Sequence, residues 1–209
     1  MSVRICIVDY GVGNQRSVEK ALQKVGVDAI ISSQVDELEA ADGLVLPGVG
    51  AFPSAIERIR SLGLDLVIER SAAAEKPILG ACLGMQLLFD RSTEHGGAEG
   101  LGLIAGEVSA LDPGGAKLPH IGWADVVWSA PCPLTAGFGE AASFYHVHSY
   151  VVAPARSEVV AGWSTYANRF PSVVAQGNIY GVQFHPEKSS ANGLRMLANF
   201  SGICEEHAR

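Results

Sequence analysis

The sequence has four cysteines, at 6, 82, 132 and 204, but no CxxC pair and none of the Cys/His spacings that hold zinc. A disulfide framework and a structural metal are therefore not expected, and a reduced, cytoplasmic setting is. No apolar run reaches membrane-spanning length, and the first residues read as a strand rather than a signal peptide, so no membrane partner is expected. Basic runs are missing too. The formal net charge is −7, from 15 Lys+Arg against 22 Asp+Glu, which argues against nucleic acid as a partner. No Walker-type GK[ST] occurs, and Gly11-Val12-Gly13 lacks the third glycine of a dinucleotide fingerprint, Arg16 standing there instead. No cofactor is expected.

What is present suits one compact domain over residues 1–209, with 48% hydrophobic residues and neither a linker nor a repeat. Residues 3–8 read as a strand, followed by a helix with Val18, Leu22 and Val25 at turn spacing and Gly26 as its stop. Strands at 27–31 and 43–47 follow, then helical segments over 54–74 interrupted near Gly63. After Phe89 the texture changes. A polar, Gly-rich stretch at 90–102 leads to short runs at 103–111, 121–128, 143–152, 159–163, 172–176 and 179–184, separated by turns rather than helices. A helix over 190–203 ends the pattern, and the 205–209 tail is expected to fray. Alternating strands and helices followed by short strands predict an α/β fold. Its open, mostly parallel but mixed sheet would carry helices on both faces and additional antiparallel strands. Sites in such sheets lie at the carboxyl ends of strands.

The stretch Pro77-Ile78-Leu79-Gly80-Ala81-Cys82-Leu83-Gly84-Met85-Gln86 passes from a short apolar strand through Gly-x-Cys-x-Gly into a helix-compatible segment. That is the pattern of a nucleophile elbow, with cysteine in the place of serine. A sharp strand-to-helix turn strains the nucleophile's backbone and demands small neighbours two residues away, which Gly80 and Gly84 supply. A helix N-terminus favours a thiolate, and the free amide of Leu83 is placed to receive charge developing on a substrate oxygen. A buried structural cysteine after a core strand is the competing reading. The Pro47-Gly48-Val49-Gly50-Ala51-Phe52-Pro53 loop, directly after a strand, could add a second oxyanion amide.

A nucleophile needs a base. His185, in His185-Pro186-Glu187 at the end of a strand, is the best candidate. In extended chain Glu187 would lie on the same side, about 6.5–7 Å away along the backbone, and orient the imidazole. His148 is the runner-up, without an acid nearby in sequence. His120 is expected to hydrogen-bond locally, His95 and His207 to be exposed, and Cys6 to be core.

The pair Gly80-Ala81-Cys82-Leu83-Gly84-Met85-Gln86 and Gly181-Val182-Gln183-Phe184-His185-Pro186-Glu187 resembles the class I (triad-type) glutamine amidotransferases. Asp9-Tyr10-Gly11-Val12-Gly13-Asn14, the Pro47–Phe52 loop, Pro119-His120-Ile121-Gly122-Trp123, Tyr145-His146-Val147-His148-Ser149-Tyr150 and Lys188-Ser189 are similar, within that family, to the glutaminases that serve imidazole glycerol phosphate synthesis. The resemblance implies a flavodoxin-like fold and glutamine as substrate, hydrolysed to glutamate. The ammonia would pass to a separate cyclase subunit in a heterodimer. It further implies Cys82 as nucleophile, His185 as base, Glu187 as orienter, and Gly50 and Leu83 as oxyanion donors. Gln86, Glu94, Ser149 and Tyr150 would form the glutamine pocket, and Asn14, Tyr145 and Lys188 would meet the partner. Alternatives are a glutaminase of another pathway (pyridoxal, purine or anthranilate) or a catalytically silent module on the same fold. Ala124, His146 and Gln15 depart from the family pattern.

Overall fold

The computed structural model of the protein describes residues 3–11 and 13–209; Val12 of the Asp9–Asn14 turn cluster lies outside them. The chain runs through β1 (Arg4–Val8), α1 (Gln15–Lys24), β2 (Asp28–Ser32), α2 (Val35–Ala40) and β3 (Gly43–Leu46). Then come α3 (Phe52–Ser61), α4 (Leu64–Ala73), β4 (Ile78–Ala81) and α5 (Leu83–Leu87). The second half is strand-rich: β5 (Phe89–Ser92), β6 (Ala98–Glu99), β7 (Ile104–Ala110), β8 (His120–Trp128), β9 (Ala141–His148), β10 (Tyr150–Pro154), β11 (Val160–Tyr166), β12 (Asn168–Gln176) and β13 (Ile179–Val182) precede α6 (Ser190–His207).

Nine strands form one sheet in the order β2-β1-β3-β4-β13-β12-β11-β8-β9, and a smaller sheet runs β10-β7-β5-β6. The pairings from β2 to β13 are parallel, and those from β13 to β9 are antiparallel. The mixed sheet is as expected, with an antiparallel half as large as the parallel one.

The period of two along β1 builds both cores. Ile5 and Ile7 pack with Val18 and Leu22 of α1 and with Met196, Leu197 and Phe200 of α6. Cys6 and Val8 face the other way, toward Leu38 of α2, Ile56 of α3 and Ile68 of α4. Strands buried on both faces need no polar alternation, which is why β3 and β4 are buried at every position. Each such side chain contributes roughly 1.5–3 kcal/mol on burial.

Several elements depart from the sequence reading. Helix α2 was not expected, because Leu38 is its one buried side chain and leaves no periodic signal. Helix α6 continues through His207 where fraying was expected, because fully buried Cys204 packs against Gly43 at the start of β3. The run at 143–152 is broken at Ser149 into β9 and β10, which belong to different sheets. That break opens one wall of the site.

Candidate functional site

The site forms where β4 and β13 end side by side. Cys82, between β4 and α5, holds φ 53° and ψ −110°, a strained conformation for a residue with a side chain. Its amide donates to the Val182 carbonyl at 2.7 Å. The glycines around it are sterically required. A Cβ on Gly80 would meet the Gly84 and Met85 backbone at 2.6 Å, and one on Gly84 would overlap the Leu46 carbonyl. The elbow is therefore wedged between β3 and its own helix.

Parallel register pairs Ala81 with Val182, so His185, three residues further on, arrives beside Cys82. His185 is 1% exposed, and Nδ1 lies 3.0 Å from Glu187 Oε1. The ring lies close enough to Cys82 for the sulfur to act on its charge. The route to Glu187 differs from the expected extended chain: Pro186–Lys188 form a 3₁₀ turn, closed by Lys188 N donating to His185 O at 3.1 Å. Proline at the turn's first position has its φ already set for it. Ser189 braces the same segment, donating to His185 O at 2.7 Å and accepting from Tyr145 N at 2.9 Å.

Burial alone would lower the His185 pKa, but hydrogen bonds and charge from Cys82 and Glu187 outweigh it and lift it to about 10. Glu187 shows the converse: burial pushes it up, while the His185 ring and the Asn14 amide hold it below the usual carboxylate range. The surroundings of the ring on both sides therefore favour its protonated form.

A cavity of about 440 Å³ opens over Cys82. Gly50, Leu83, Gln86, Glu94, Ser149, Tyr150, His185 and Lys188 all line it, as does His148. Leu83 is the first residue of α5, so its N–H has no partner within the helix. Gly50, at φ 106°, takes a conformation that suits glycine. Buried Gln86 donates through Nε2 to the Tyr150 carbonyl at 3.0 Å. Glu94 is also buried, and its Oε2 accepts from Phe52 N at 2.7 Å, capping α3. A larger recess of about 750 Å³ sits at the opposite ends of β1 and β2 with Arg4, Asp28, Asp42, Glu205 and Arg209 around it, far from this chemistry.

Of the three residues expected at a partner surface, Lys188 is exposed and Tyr145 half-buried. Asn14 is not on the surface: it is 8% exposed, and its Nδ2 donates to Glu187 Oε1 at 3.1 Å. The reason is positional, since Asn14 precedes α1, whose N-terminus packs against the 186–188 turn.

His148 is held away from the base role. Its Nδ1 faces the Tyr150 carbonyl at 3.1 Å, and its Nε2 faces His120 Nδ1 at 3.3 Å. His120 therefore bonds across the β8–β9 pair rather than locally. His146, the residue unusual for the family, joins them: His120 stacks on it at 5.3 Å, and it bonds Ser172 Oγ at 2.9 Å and Phe144 O at 3.1 Å. Gln15, another departure, bonds Asp9 Oδ1 at 2.7 Å. Nothing in the structure explains Ala124.

Burial lowers the His146 and His148 pKa values to about 3 and holds that of His120 below the ordinary imidazole range. Because the folded values lie below the unfolded ones, stability is full above about pH 6.5 and falls as the unfolded chain takes up protons that the folded chain refuses. His146 and His148 together should cost about 4 kcal/mol at pH 5 relative to neutral pH, at roughly 1.4 kcal/mol per pH unit each. His185 does not offset this, since its folded value is raised and its contribution is constant below about pH 6.5. Thermal unfolding between pH 8 and pH 5 checks the prediction: the midpoint should fall steeply below pH 6.5, and less steeply in His146→Phe. A flat profile would contradict it.

The sequence reading did not single out Gln183. It is fully buried one residue past β13, with Nε2 3.8 Å from Cys82 Sγ. Its appearance inside a strand end where apolar residues dominate was the available signal.

A family model described as "Glutamine amidotransferase class-I" matches residues 6–202. The chain is 46% identical to the imidazole glycerol phosphate synthase subunit HisH of Bacillus cereus (strain G9842), covering 96% of this chain and 95% of that one. It is 47% identical to the HisH subunit of Desulfitobacterium hafniense (strain DSM 10664 / DCB-2), over 98% and 96% of the two chains. Among solved structures it resembles PurLQS of Thermotoga maritima, with TM-score 0.76 and 20% identity over 100% of both chains. The glutaminase domain of Trypanosoma brucei CTPS with bound acivicin gives TM-score 0.71 at 18% identity over 98% and 94%. At those identities the structures speak for the fold alone, whereas the family match and the HisH relatives span nearly the whole sequence. The chain belongs to the class-I glutamine amidotransferase family and, within it, to the HisH group.

Proposed function

We propose that this chain is the glutaminase subunit of imidazole glycerol phosphate synthase, acting in the cytoplasm as one domain over residues 1–209 in a heterodimer with a cyclase subunit. The observation that carries the chemistry is the buried line Cys82–His185–Glu187 at the floor of an open cavity. The HisH relatives carry the choice of pathway.

Cys82 attacks the side-chain amide carbon of glutamine as a thiolate, and the carbonyl π electrons move onto oxygen. The Leu83 and Gly50 amides receive that charge, each well-placed donor contributing roughly 3–4 kcal/mol. Collapse of the intermediate breaks the C–N bond, and His185 gives its proton to the departing nitrogen, releasing ammonia. The neutral imidazole then takes a proton from water, whose oxygen attacks the thioester carbon; glutamate leaves and the thiolate–imidazolium pair is restored. Glu187 holds the ring in one orientation throughout, keeping the Nδ1 proton in place when the imidazole is neutral. Gln86, Glu94, Ser149 and Tyr150 fix the substrate, with the Glu94 carboxylate matching its α-ammonium group.

The cyclase has a chemically suited landing surface. Ile121, Trp123 and Val127 project from one face of β8 at 60%, 54% and 53% exposure. Tyr145 on β9 lies directly across from Trp123, with the rings 6.0 Å apart. With the exposed Asp125 carboxylate between Trp123 and Val127, this is an apolar face with a charge in it, suited to a protein partner. Lys188, exposed at the cavity rim, adds a charge to it.

The test measures glutamate formation with the cyclase subunit and its nucleotide ligand, and without them. The expected result is glutamine hydrolysis raised by the partner, with the nitrogen recovered in imidazole glycerol phosphate. No hydrolysis under any condition, or stimulation only by the synthase of another pathway, would overturn the assignment.

A further inference from the structure

We infer that Gln183 is a positioning residue for the nucleophile, donating a hydrogen bond to the Cys82 sulfur from an amide whose orientation is locked by the substrate pocket. The inference rests on Cys82 being the nucleophile. It starts at the Tyr150 carbonyl, which can only accept. Gln86 Nε2 lies 3.0 Å from that oxygen, so the Gln86 amide nitrogen is assigned by its partner rather than by choice. The same nitrogen lies 3.4 Å from Gln183 Oε1, which fixes the second amide in turn. Only the Gln183 NH₂ group then remains to face Cys82 Sγ, at 3.8 Å. The direction of donation therefore runs from the pocket wall to the sulfur without an ambiguous flip.

Burial sharpens the point. Gln183 has no exposed surface and Gln86 is 5% exposed. An amide taken from water without partners is costly, and the side-chain partners of Gln183 are the nucleophile and a pocket residue. An apolar side chain of the same length would fill this space at lower cost, so packing does not account for the amide. A donor at the sulfur favours its anionic form over the neutral thiol or thioester. It therefore assists the sulfur wherever it carries negative charge, in the attack and again when water opens the thioester. The Val147 carbonyl, 3.7 Å from Sγ on another side, accepts from the thiol form and offers the anion nothing.

The experiment alkylates the full-length, glutamine-free protein with iodoacetamide across pH, alongside steady-state kinetics and melting curves. Gln183→Met keeps length and volume and removes the donor. Its alkylation rate at neutral pH and its kcat should both fall about 5- to 10-fold, with the melting midpoint unchanged or raised. Gln183→Glu, which places an anion at the sulfur, should be slower still. Gln86→Leu unlocks the Gln183 amide and should slow alkylation several-fold although no glutamine is present, which loss of substrate binding alone cannot do. Alkylation of either Gln183→Met or Gln86→Leu at the wild-type rate overturns the inference. Failure of the wild-type Cys82 itself to react would instead overturn the nucleophile reading beneath it.

Discussion

Cys82→Ala is expected to abolish glutamine hydrolysis while leaving the fold and cyclase binding in place, the rate falling on the order of 10⁴- to 10⁶-fold. No other thiol can stand in. Cys6 and Cys204 are fully buried, with pKa values pushed up to about 12, and burial raises that of Cys132 as well. None of the three lines the cavity over the elbow. His185 would retain Glu187 but lose the sulfur it faces, and an imidazole without a nucleophile has only water to activate. The fold should survive because the Cys82 side chain is held by long, weak contacts to Val147 O and Gln183 Nε2, at 3.7 and 3.8 Å. Alanine also occupies the same strained turn without new bulk. Glutamate release, melting and co-elution with the cyclase check the three clauses separately. Hydrolysis above a tenth of the wild-type rate would show that the elbow thiol is not the nucleophile.

The parts of this site that were legible in the sequence are those fixed by local backbone demands. Gly80 and Gly84 are needed by a turn that admits no side chains, so Gly-x-Cys-x-Gly announces itself. A histidine next to proline at a strand end does nearly the same. The parts that were not legible depend on register between distant strands. Gln183 touches Cys82 because β13 pairs with β4, and Asn14 meets Glu187 across 173 residues of sequence because the start of α1 packs on the turn after β13. Neither distance has any local signature. The way His185 reaches Glu187 was misread for a related reason. Both extended chain and a 3₁₀ turn can bring residues two apart together, and the choice is made by tertiary contacts such as Ser189 on His185 O. The fold shows the same division. Strands buried on both faces were recognisable as apolar runs, whereas α2, with a single inward Leu38, and the break at Ser149 follow from how neighbouring elements pack.

Gly84→Ala should be severely destabilising for a single added methyl, with only Gly193 meeting backbone as closely among the described glycines. The added Cβ would overlap the Leu46 carbonyl oxygen and sit 2.7 Å from its carbon and 3.2 Å from its Cβ. These are backbone and first side-chain atoms of a fully buried strand, so no rotamer change can clear them. Overpacking against mobile side chains typically costs about 1–3 kcal/mol. Here α5 must lift from β3, or the elbow must open, and the cost should exceed about 4–5 kcal/mol. For a chain of this size that corresponds to a melting midpoint lowered by more than about 10 °C. Gly63→Ala is the contrasting case. It places the same methyl at φ 67° in open space between α3 and α4, so it carries only the left-handed conformational strain of about 1–2 kcal/mol. Gly84 lies inside α5 and has no positive φ, so its loss reports the clash, whereas Gly63→Ala reports left-handed strain without a clash; the clash should cost the more of the two. A Gly84→Ala protein that melts near wild type would mean the elbow can yield, and hydrolysis measured on that protein would show how far the geometry around Cys82 tolerates the shift.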